Sequence, residues 1–270
     1  MHQDFVEAIA HPTDFSEASA EAFAHALRLA LEFRCGLDIL HVTASGCQGW
    51  ASFPRVRETL AQWEILPANA TPAEVAEKTG VWVRKVEIEH DDPLQGVTAF
   101  LETHPPRFLV MATHGAQGLN RWLSGSISEG IAQRTHCPSL FLGPQARSFV
   151  NAKTGRLHLK NVVIPVARQP SPQRALLLWH HLFGKLGLKE TLIHAGEAPF
   201  ELTGPTGEPC DVTAAEGSPV EAILWAANTF LADLLVMPTA GRHGFLDALK
   251  GSTTEQAVIR APCPVLSLPA

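Results

Sequence analysis

The spacing of apolar residues divides the chain into alternating strands and helices. An apolar run at 6–10 predicts a strand, and apolar residues at helical spacing predict a helix over 17–33, with Ser16 in position to cap it. The run 108–111 is uninterrupted, which is typical of a strand buried on both faces. Strands that alternate with helices predict a mostly parallel sheet with helices on both of its faces.

The same alternation occurs in both halves of the chain. The further elements predicted in the first half are strands over 37–42, 83–89, 108–112 and 139–142 and helices over 93–103 and 126–135. The strands predicted in the second half cover 161–165, 190–194, 211–215, 234–237 and 265–268. The predicted fold class is therefore α/β, with two tandem open, mostly parallel five-stranded sheets flanked by helices in a Rossmann-like arrangement.

The two halves are related by an internal repeat. The segment 109–115 recurs as 235–241, which is 126 residues later, and Cys137-Pro138 recurs as Cys263-Pro264 at the same offset. Between 107 and 143, 15 of 37 positions are identical to their counterparts without a gap. Ordinary composition would give roughly two identities by chance. The halves are therefore duplicates.

The first copy is the longer one. The segment 8–12 matches 161–165 at an offset of 153, so the first copy carries 27 extra residues, which fall between about Ala44 and Gly80. Glycines and prolines interrupt this extra segment, where the pattern predicts one short helix over 55–63. The counterpart 196–209 is short and predicts a lost helix. We predict domains over 1–146 and 159–270, joined by a linker over 147–158.

Composition excludes several classes of protein. The 270 residues are 46% hydrophobic and 18% charged, as in a soluble globular protein, and the net charge of −6 argues against a nucleic-acid partner. An N-terminal signal and a run of about 18 apolar residues are both missing, so we expect a cytoplasmic protein without membrane insertion. Five cysteines without CxxC spacing predict reduced thiols, with neither a disulfide framework nor a metal site.

Two junctions between strands and helices carry candidate chemistry. Open parallel sheets bind ligands outside the carboxyl ends of their strands, at the point where the strand order reverses. Pro12-Thr13-Asp14 follows the first predicted strand, and a glycine-rich loop over 112–128 follows the fourth. Gly115 allows close backbone approach, while Gly125-Ser126 places amides and a hydroxyl at a helix start, which attracts phosphate.

Each of these features has a structural alternative. The loop matches neither the Walker pattern nor GxGxxG, and glycines also punctuate ordinary turns. Asp14 could accept hydrogen bonds from an adenine or ribose edge, or it could cap the following helix. Trp50, Trp63 and Trp82 lie in or beside the extra segment, where they could pack internally or form a surface for a partner.

Several short motifs give the chain a resemblance to a known family. They are the segments 12–18 (PTDFSEA) and 40–42 (LHV), Thr113-His114-Gly115 followed by Gly125-Ser126, and Cys137-Pro138. With these motifs the chain resembles the universal stress protein family. It implies an ATP site, with or without Mg²⁺, because ATP-binding members carry the pattern G-x-x-G-x9-G-[ST] and an Asp after the first strand. The implied binding residues are Pro12, Thr13, Asp14, Val42, Met111, Gly115, Gly125, Ser126, Ile127 and Ser128.

The chain departs from this family pattern at several positions. Ala112 replaces the first glycine of the pattern in the first copy. In the second copy Ala167 replaces the Asp, and Pro238, which lacks an amide donor, replaces the first glycine. We therefore expect one nucleotide per chain, held by the first half, whereas the second half serves as a packing partner.

Three functional hypotheses remain at the sequence level. The resemblance implies a stress-response regulator or adaptor that binds an adenine nucleotide without efficient turnover and acts on an unidentified protein partner. An AMP-forming ligase of a related fold would show SGGxDS or HxGH, and neither is present. The third is a nucleotide-independent interaction module with vestigial sites. The apolar strands at 139–142 and 265–268 would otherwise be exposed edges, which predicts an intrachain pseudo-dimer and leaves a homodimer open.

Overall fold

A computed structural model describes residues 7–44, 52–113, 127–169, 171–196, 201–204, 207–239 and 253–269. The chain separates into two compact units. The first contains the chain up to Thr135 together with Val150–Leu157, and the second contains His136–Phe149 together with His158 onward. The fifth predicted strand therefore belongs to the second unit.

The first unit is a parallel sheet of four strands in the order β3-β2-β1-β4. Its strand and helix pattern confirms the predicted α/β class. In chain order its elements are β1 (Ala8–Pro12), α1 (Glu17–Phe33), β2 (Gly36–Thr43), α2 (Val56–Gln62), α3 (Pro72–Thr79), β3 (Val83–Glu89), α4 (Pro93–Thr103), β4 (Phe108–Ala112) and α5 (Ile127–Thr135).

Helix α1 covers the centre of this sheet. Ser16 is its N-cap, and its hydroxyl accepts a hydrogen bond from the amide of Ser19 at 3.2 Å, as the sequence predicts. The helix ends at Phe33, and the C-cap residue Arg34 adopts a left-handed conformation that closes the last turn. Leu27 of α1 and Ile9 of β1 are fully buried in the core.

The extra segment forms two helices, although the sequence pattern predicts only one. The predicted helix over 55–63 is observed as α2, and α3 is additional. Thr71 and Glu74 form a reciprocal capping box at the start of α3, and Pro72 occupies its first turn. A proline there loses no intrahelical hydrogen bond, so Pro72 begins a helix rather than interrupting one.

The segment 150–157, which lies within the predicted linker, is an ordered part of the first unit. A bridge joins Val150 to Leu157, and the indole Nε1 of Trp63 donates to the carbonyl oxygen of Ala152 at 2.9 Å. Gly155 has φ of +66°, and a Cβ at this position would collide with the ring of Trp63. This contact also gives Trp63 an internal packing role.

The second unit is a sheet of six strands in the order β5-β10-β9-β6-β7-β8. The strand β5 pairs antiparallel with β10, whereas the other pairs are parallel. The predicted pairing of the two last strands is therefore present. The elements are β5 (Ser139–Leu142), β6 (Asn161–Pro165), α6 (Gln173–Phe183) with a 3₁₀ turn (Gly184–Leu186), β7 (Lys189–Ala195), β8 (Val212–Ala215), α7 (Pro219–Thr229), β9 (Leu234–Thr239), α8 (Thr253–Arg260) and β10 (Val265–Pro269).

Two further observations concern the described residues alone. None of the helices in these ranges combines the length and the apolar character that a membrane crossing requires. The described cysteines are all free thiols, and burial raises the pKa of Cys35 to about 11 and that of Cys263 to about 12. These two thiols are therefore protonated at neutral pH.

Candidate functional site

The strand order of the first unit reverses between β1 and β4. The chain runs from β1 through β2 to β3 on one side and then places β4 on the other side of β1. Both neighbours of β1 are parallel to it, with Ile9 level with Leu37 on β2 and with Phe108 on β4. The carboxyl ends of β1 and β4 therefore lie side by side, which is where open α/β sheets bind ligands.

The turn that follows β1 presents an exposed carboxylate. Asp14 is exposed, and its Oδ1 accepts hydrogen bonds from the amide of Ser16 at 3.1 Å and from its hydroxyl at 2.6 Å. Asp14 thus orients the N-cap residue and is not itself the cap. Phe15 adopts φ of +61°, which is uncommon for a residue with a Cβ. The turn is consequently held in one defined conformation.

A buried chain of hydrogen bonds connects this turn to β4. The amide of Phe15 donates to Oγ1 of Thr13 at 3.1 Å, and Thr13 Oγ1 lies 2.7 Å from Oγ of Ser19. Ser19 Oγ lies 3.5 Å from Nε2 of His11, and Nδ1 of the same ring lies 2.9 Å from the carbonyl oxygen of Val110. The two strands that flank the crevice are therefore joined by polar side chains as well as by backbone.

Burial fixes the protonation of His11 and hence the direction of this chain. Desolvation lowers the pKa of His11 to about 4, so the ring is neutral at pH 7. Because a carbonyl oxygen only accepts, Nδ1 carries the proton and donates to Val110. Nε2 is then an acceptor, so Ser19 donates to His11 and Thr13 donates to Ser19. Every polar atom named here has a role in the chain.

On the other side of the crevice, β4 is tied to the start of α5. Ser128 Oγ donates to the carbonyl oxygen of Ala112 at 2.7 Å. Met111 is buried within β4, whereas Ile127 is 51% exposed at the first position of α5. The predicted site residues Gly115, Gly125 and Ser126 lie outside the described residues.

On strand β2, the residue that contacts the turn after β1 is His41, whereas the predicted site residue is Val42. Nδ1 of His41 donates to the carbonyl oxygen of Thr13 at 2.8 Å, which anchors the turn after β1. The His41 ring also lies 4.0 Å from the ring of Phe15 and 6.1 Å from that of Phe53, measured between centroids. Val42 points the other way, towards Gly96 of α4, and is half-buried.

At the equivalent point of the second unit, the hydrogen bonds to the backbone are present, but the polar side chains are replaced by apolar ones. Nδ1 of His194 donates to the carbonyl oxygen of Val166 at 3.0 Å, which matches the bond from His41 to Thr13. Val166 also donates its amide to the carbonyl of Ile193 at 2.8 Å, as Thr13 does to Leu40. At the offset of 153, the counterparts of His11, Thr13, Asp14 and Ser19 are Ile164, Val166, Ala167 and Pro172.

Sequence reasoning identified the ends of the strands but missed the buried chain. Pro12, Thr13 and Asp14, which the order of elements indicated, and Met111 and Ser128, which the family resemblance implied, all lie along the carboxyl edge. His11 and Ser19 were not recognised, although a signal exists. Polar residues in one copy align with apolar residues in the other, and comparing the copies position by position would have found them. No group of His, Cys, Asp and Glu placed to hold a metal occurs among the described residues.

Comparison with known proteins agrees with the fold and with the repeat. The model of the universal stress protein family matches residues 6–142 and 185–269. A universal stress protein of Methanocaldococcus jannaschii is 31% identical over 147 residues, which cover 51% of this chain and 82% of that protein. One from Thermus aquaticus is 40% identical over 85 residues, covering 31% of this chain and 62% of that protein. The crystal structure of a universal stress protein from Archaeoglobus fulgidus covers 98% of this chain and 97% of its own, with a TM-score of 0.65 and 23% identity.

The fold and the site define a tandem α/β protein whose first unit has a polar crevice at the point where its strand order reverses. The chain belongs to the universal stress protein family, because the family model matches well over half of it.

Proposed function

We propose that the first unit binds ATP or another adenine nucleotide, with or without Mg²⁺, in the crevice between the carboxyl ends of β1 and β4. On this proposal the protein is a stress-response regulator or adaptor that binds the nucleotide without efficient turnover. A protein partner recognises the nucleotide-bound form of the chain.

The observation that carries the proposal is the exposed Asp14 carboxylate at the carboxyl end of β1, held by Ser16. Ribose hydroxyls and the adenine amine are hydrogen-bond donors, and a carboxylate is an acceptor that suits them. Because Ser16 and the buried chain through Thr13 already fix this turn, little conformational freedom is lost when a ligand binds. The residues present at this end of the crevice therefore fit an adenine nucleoside.

The phosphate end of the proposed site is the start of α5. Helix N-termini attract anions through their free amides and the helix dipole. The bond from Ser128 to the carbonyl of Ala112 fixes where this helix begins relative to β4. Following the family pattern, Gly125 and Ser126 would place their backbone against the phosphates.

The test is a calorimetric titration of ATP with Mg²⁺ into the full chain. We expect one site per chain, and we expect Asp14→Asn to weaken binding about tenfold to a hundredfold, because a hydrogen bond to a charged group is worth about 1.5–3 kcal/mol. Asparagine keeps an oxygen that can accept from Ser16, so the turn is preserved. Gly125→Val should obstruct the phosphates, whereas Gly251→Val, at the equivalent position of the second copy, should leave the affinity unchanged.

Three outcomes would contradict the proposal. Equal ATP affinity in wild type, Asp14→Asn and Gly125→Val would show that ATP does not bind in this crevice. Two equivalent sites per chain would show that the Ala167 and Pro238 substitutions do not disable the second copy. Rapid release of phosphate from bound ATP would contradict the absence of efficient turnover.

A second candidate is a nucleotide-independent interaction module. The observation that favours it is Ala112, which stands where the family pattern has its first glycine. A purified chain that releases no adenine nucleotide on heating and takes up no ATP in the titration would favour this candidate over the first.

A further inference from the structure

The extra segment of the first unit encloses a cavity that the nucleotide proposal does not use. It has a volume of about 550 Å³ and lies between the start of α2, the helix α3 and the beginning of β3. Cavities that bind small molecules fall in the range of roughly 300–1,000 Å³. This cavity is therefore large enough for an organic ligand of moderate size.

One part of the cavity wall is apolar. Val56 of α2, Val75 of α3 and Val81 before β3 line it and are themselves buried. Trp82 also lines it, and 54% of this large side chain is exposed. An apolar body placed here would cover the indole and remove apolar surface from water, which stabilises a complex by about 25 cal/mol for each Å² buried.

The other part of the wall is positively charged. Arg55, Arg57 and Lys85 line the cavity together with one carboxylate, that of Glu58. Glu58 is engaged by Arg55, whose Nη1 lies 3.1 Å from Oε1. Arg57 donates to the neutral carbonyl of Ala70, and among the described residues neither Arg57 nor Lys85 has a carboxylate within ion-pair distance. The cavity lining thus carries three cations against one carboxylate, which leaves a net positive charge.

The environment of Lys85 is consistent with this excess of charge. Desolvation lowers the pKa of Lys85, and the positive charges of Arg57 and Arg55 lower it further. Its ammonium group also lies 5.9 Å from the centroid of the Phe53 ring. An anion in the cavity would relieve the repulsion among these three cations.

The cavity is distinct from the nucleotide crevice. Val83 pairs with Leu37 near the amino ends of the strands, whereas Asp14 follows the carboxyl end of β1. Trp82 accepts a backbone hydrogen bond from Leu37 at the same amino-terminal edge. The cavity therefore begins at the edge of the sheet opposite Asp14, and Phe53, which lies near both Lys85 and His41, stands between the two sites. Ala68→Trp and Asp14→Asn each alter one site alone and test them separately.

We propose that this cavity binds a small carboxylate with an apolar body, with the carboxylate against Arg57 and Lys85 and the body against Trp82 and Val75. A bare inorganic anion would leave the apolar wall in water, and a neutral apolar molecule would leave the cations unneutralised. Recognition needs both parts of the ligand.

Calorimetric titration of octanoate into the full chain, without nucleotide, tests the proposal. We expect one saturable site, and we expect Lys85→Met to weaken it about tenfold. The matched control is Lys78→Met, which removes an equal charge from α3 at a position outside the cavity lining. Ala68→Trp should fill the mouth of the cavity and prevent binding, whereas Ala73→Trp, exposed on α3, should not.

Two comparison ligands decide which part of the proposal holds. 1-Octanol binding as tightly as octanoate would overturn the role of the cations, and inorganic phosphate competing equally well would overturn the role of the apolar wall. Equal losses in the test and control variants would overturn the location. If Lys85→Met does not fold, as judged by thermal unfolding, Ala68→Trp decides, because residue 68 is exposed.

Discussion

Two histidines of the first unit are buried as neutral rings, and each connects distant parts of the chain. His11 connects β1 to β4, as described above. His25 in α1 donates from Nδ1 to the carbonyl of Glu21 at 2.9 Å and accepts at Nε2 from the amide of Val150 at 3.3 Å. A protonated ring could not accept at Nε2, so protonation would break the contact to Val150.

These histidines predict that the chain loses stability in mild acid. Desolvation lowers the pKa of His11 and of His25 from 6.5 to about 4. Between pH 6.5 and 4 the unfolded chain binds these protons and the folded chain does not, so the free energy of unfolding falls as the pH falls. Each histidine contributes about 3 kcal/mol over this window, at about 1.4 kcal/mol per pKa unit.

The measurement is the thermal unfolding midpoint between pH 7 and pH 4.5, followed by circular dichroism. We expect His25→Leu to flatten the pH dependence relative to wild type, whatever its stability at pH 7. His158→Leu, which replaces an exposed histidine, should keep the wild-type dependence. A profile for His25→Leu as steep as that of wild type would show that this ring does not titrate on unfolding.

Gly155 provides a second test at the scale of a single residue. It has φ of +66°, and a Cβ would also collide with Trp63. Gly187 has φ of +61° but nothing within 4 Å of the position of a Cβ. We expect Gly187→Ala to lower the free energy of unfolding by about 1 kcal/mol, from backbone strain alone. We expect Gly155→Ala to lower it by about 1–3 kcal/mol more, because the added methyl group would force the segment 150–157 away from Trp63. Equal losses in thermal stability would show that the Trp63 contact is not rigid.

At the scale of elements, local patterns predicted most of the secondary structure. The predicted strand over 83–89 is observed as Val83–Glu89, and the predicted helix over 93–103 as Pro93–Thr103. The strand β1 was predicted to end at Ala10 but continues to Pro12. Its register with β2 extends to Pro12 opposite Leu40, whereas its register with β4 ends at Ala10. Pro12 therefore lies beyond the part of the strand that is paired on both sides, where a residue without an amide donor is tolerated.

The candidate site was predictable only where it depends on chain order. Strand ends can be inferred from the sequence, so the positions of Asp14 and of the junction that ends at Ser128 were predicted. The chain from Thr13 through Ser19 to His11 needs α1 to fold back over β1, and the acceptor Val110 is 99 residues from His11. Side-chain contacts across such separations follow from packing, and no local pattern of one copy encodes them.

At the scale of the whole molecule, one strand is part of the first copy in the sequence but of the second compact unit in the structure. The strand β5 belongs to the first copy by sequence, yet it pairs with β10, with Leu140 opposite Leu266 and Phe141 opposite Val265. These four side chains are buried. Without β5, the strand β10 would present an unpaired, apolar edge.

The pairing of β5 with β10 predicts a difference between two fragments of the chain. A fragment over 136–270 keeps this pair, whereas a fragment over 159–270 loses it, so we expect the shorter fragment to unfold at a lower temperature. Thermal unfolding followed by circular dichroism measures both. Phe141→Asp in the longer fragment should lower its unfolding midpoint towards that of the shorter one, and equal midpoints in the two fragments would show that the pair does not stabilise the second unit.

The matching bonds from His41 to Thr13 and from His194 to Val166 show what both copies inherited from their common ancestor. A feature that both descendants retain serves the architecture, since it survives beside Asp14 in one copy and beside Ala167 in the other. The histidine at the end of the second strand therefore belongs to the scaffold. The Asp14 carboxylate, which is present in one copy alone, marks a position where the two copies have diverged. A duplicated protein thus carries the reference sequence against which its own specialised residues can be recognised.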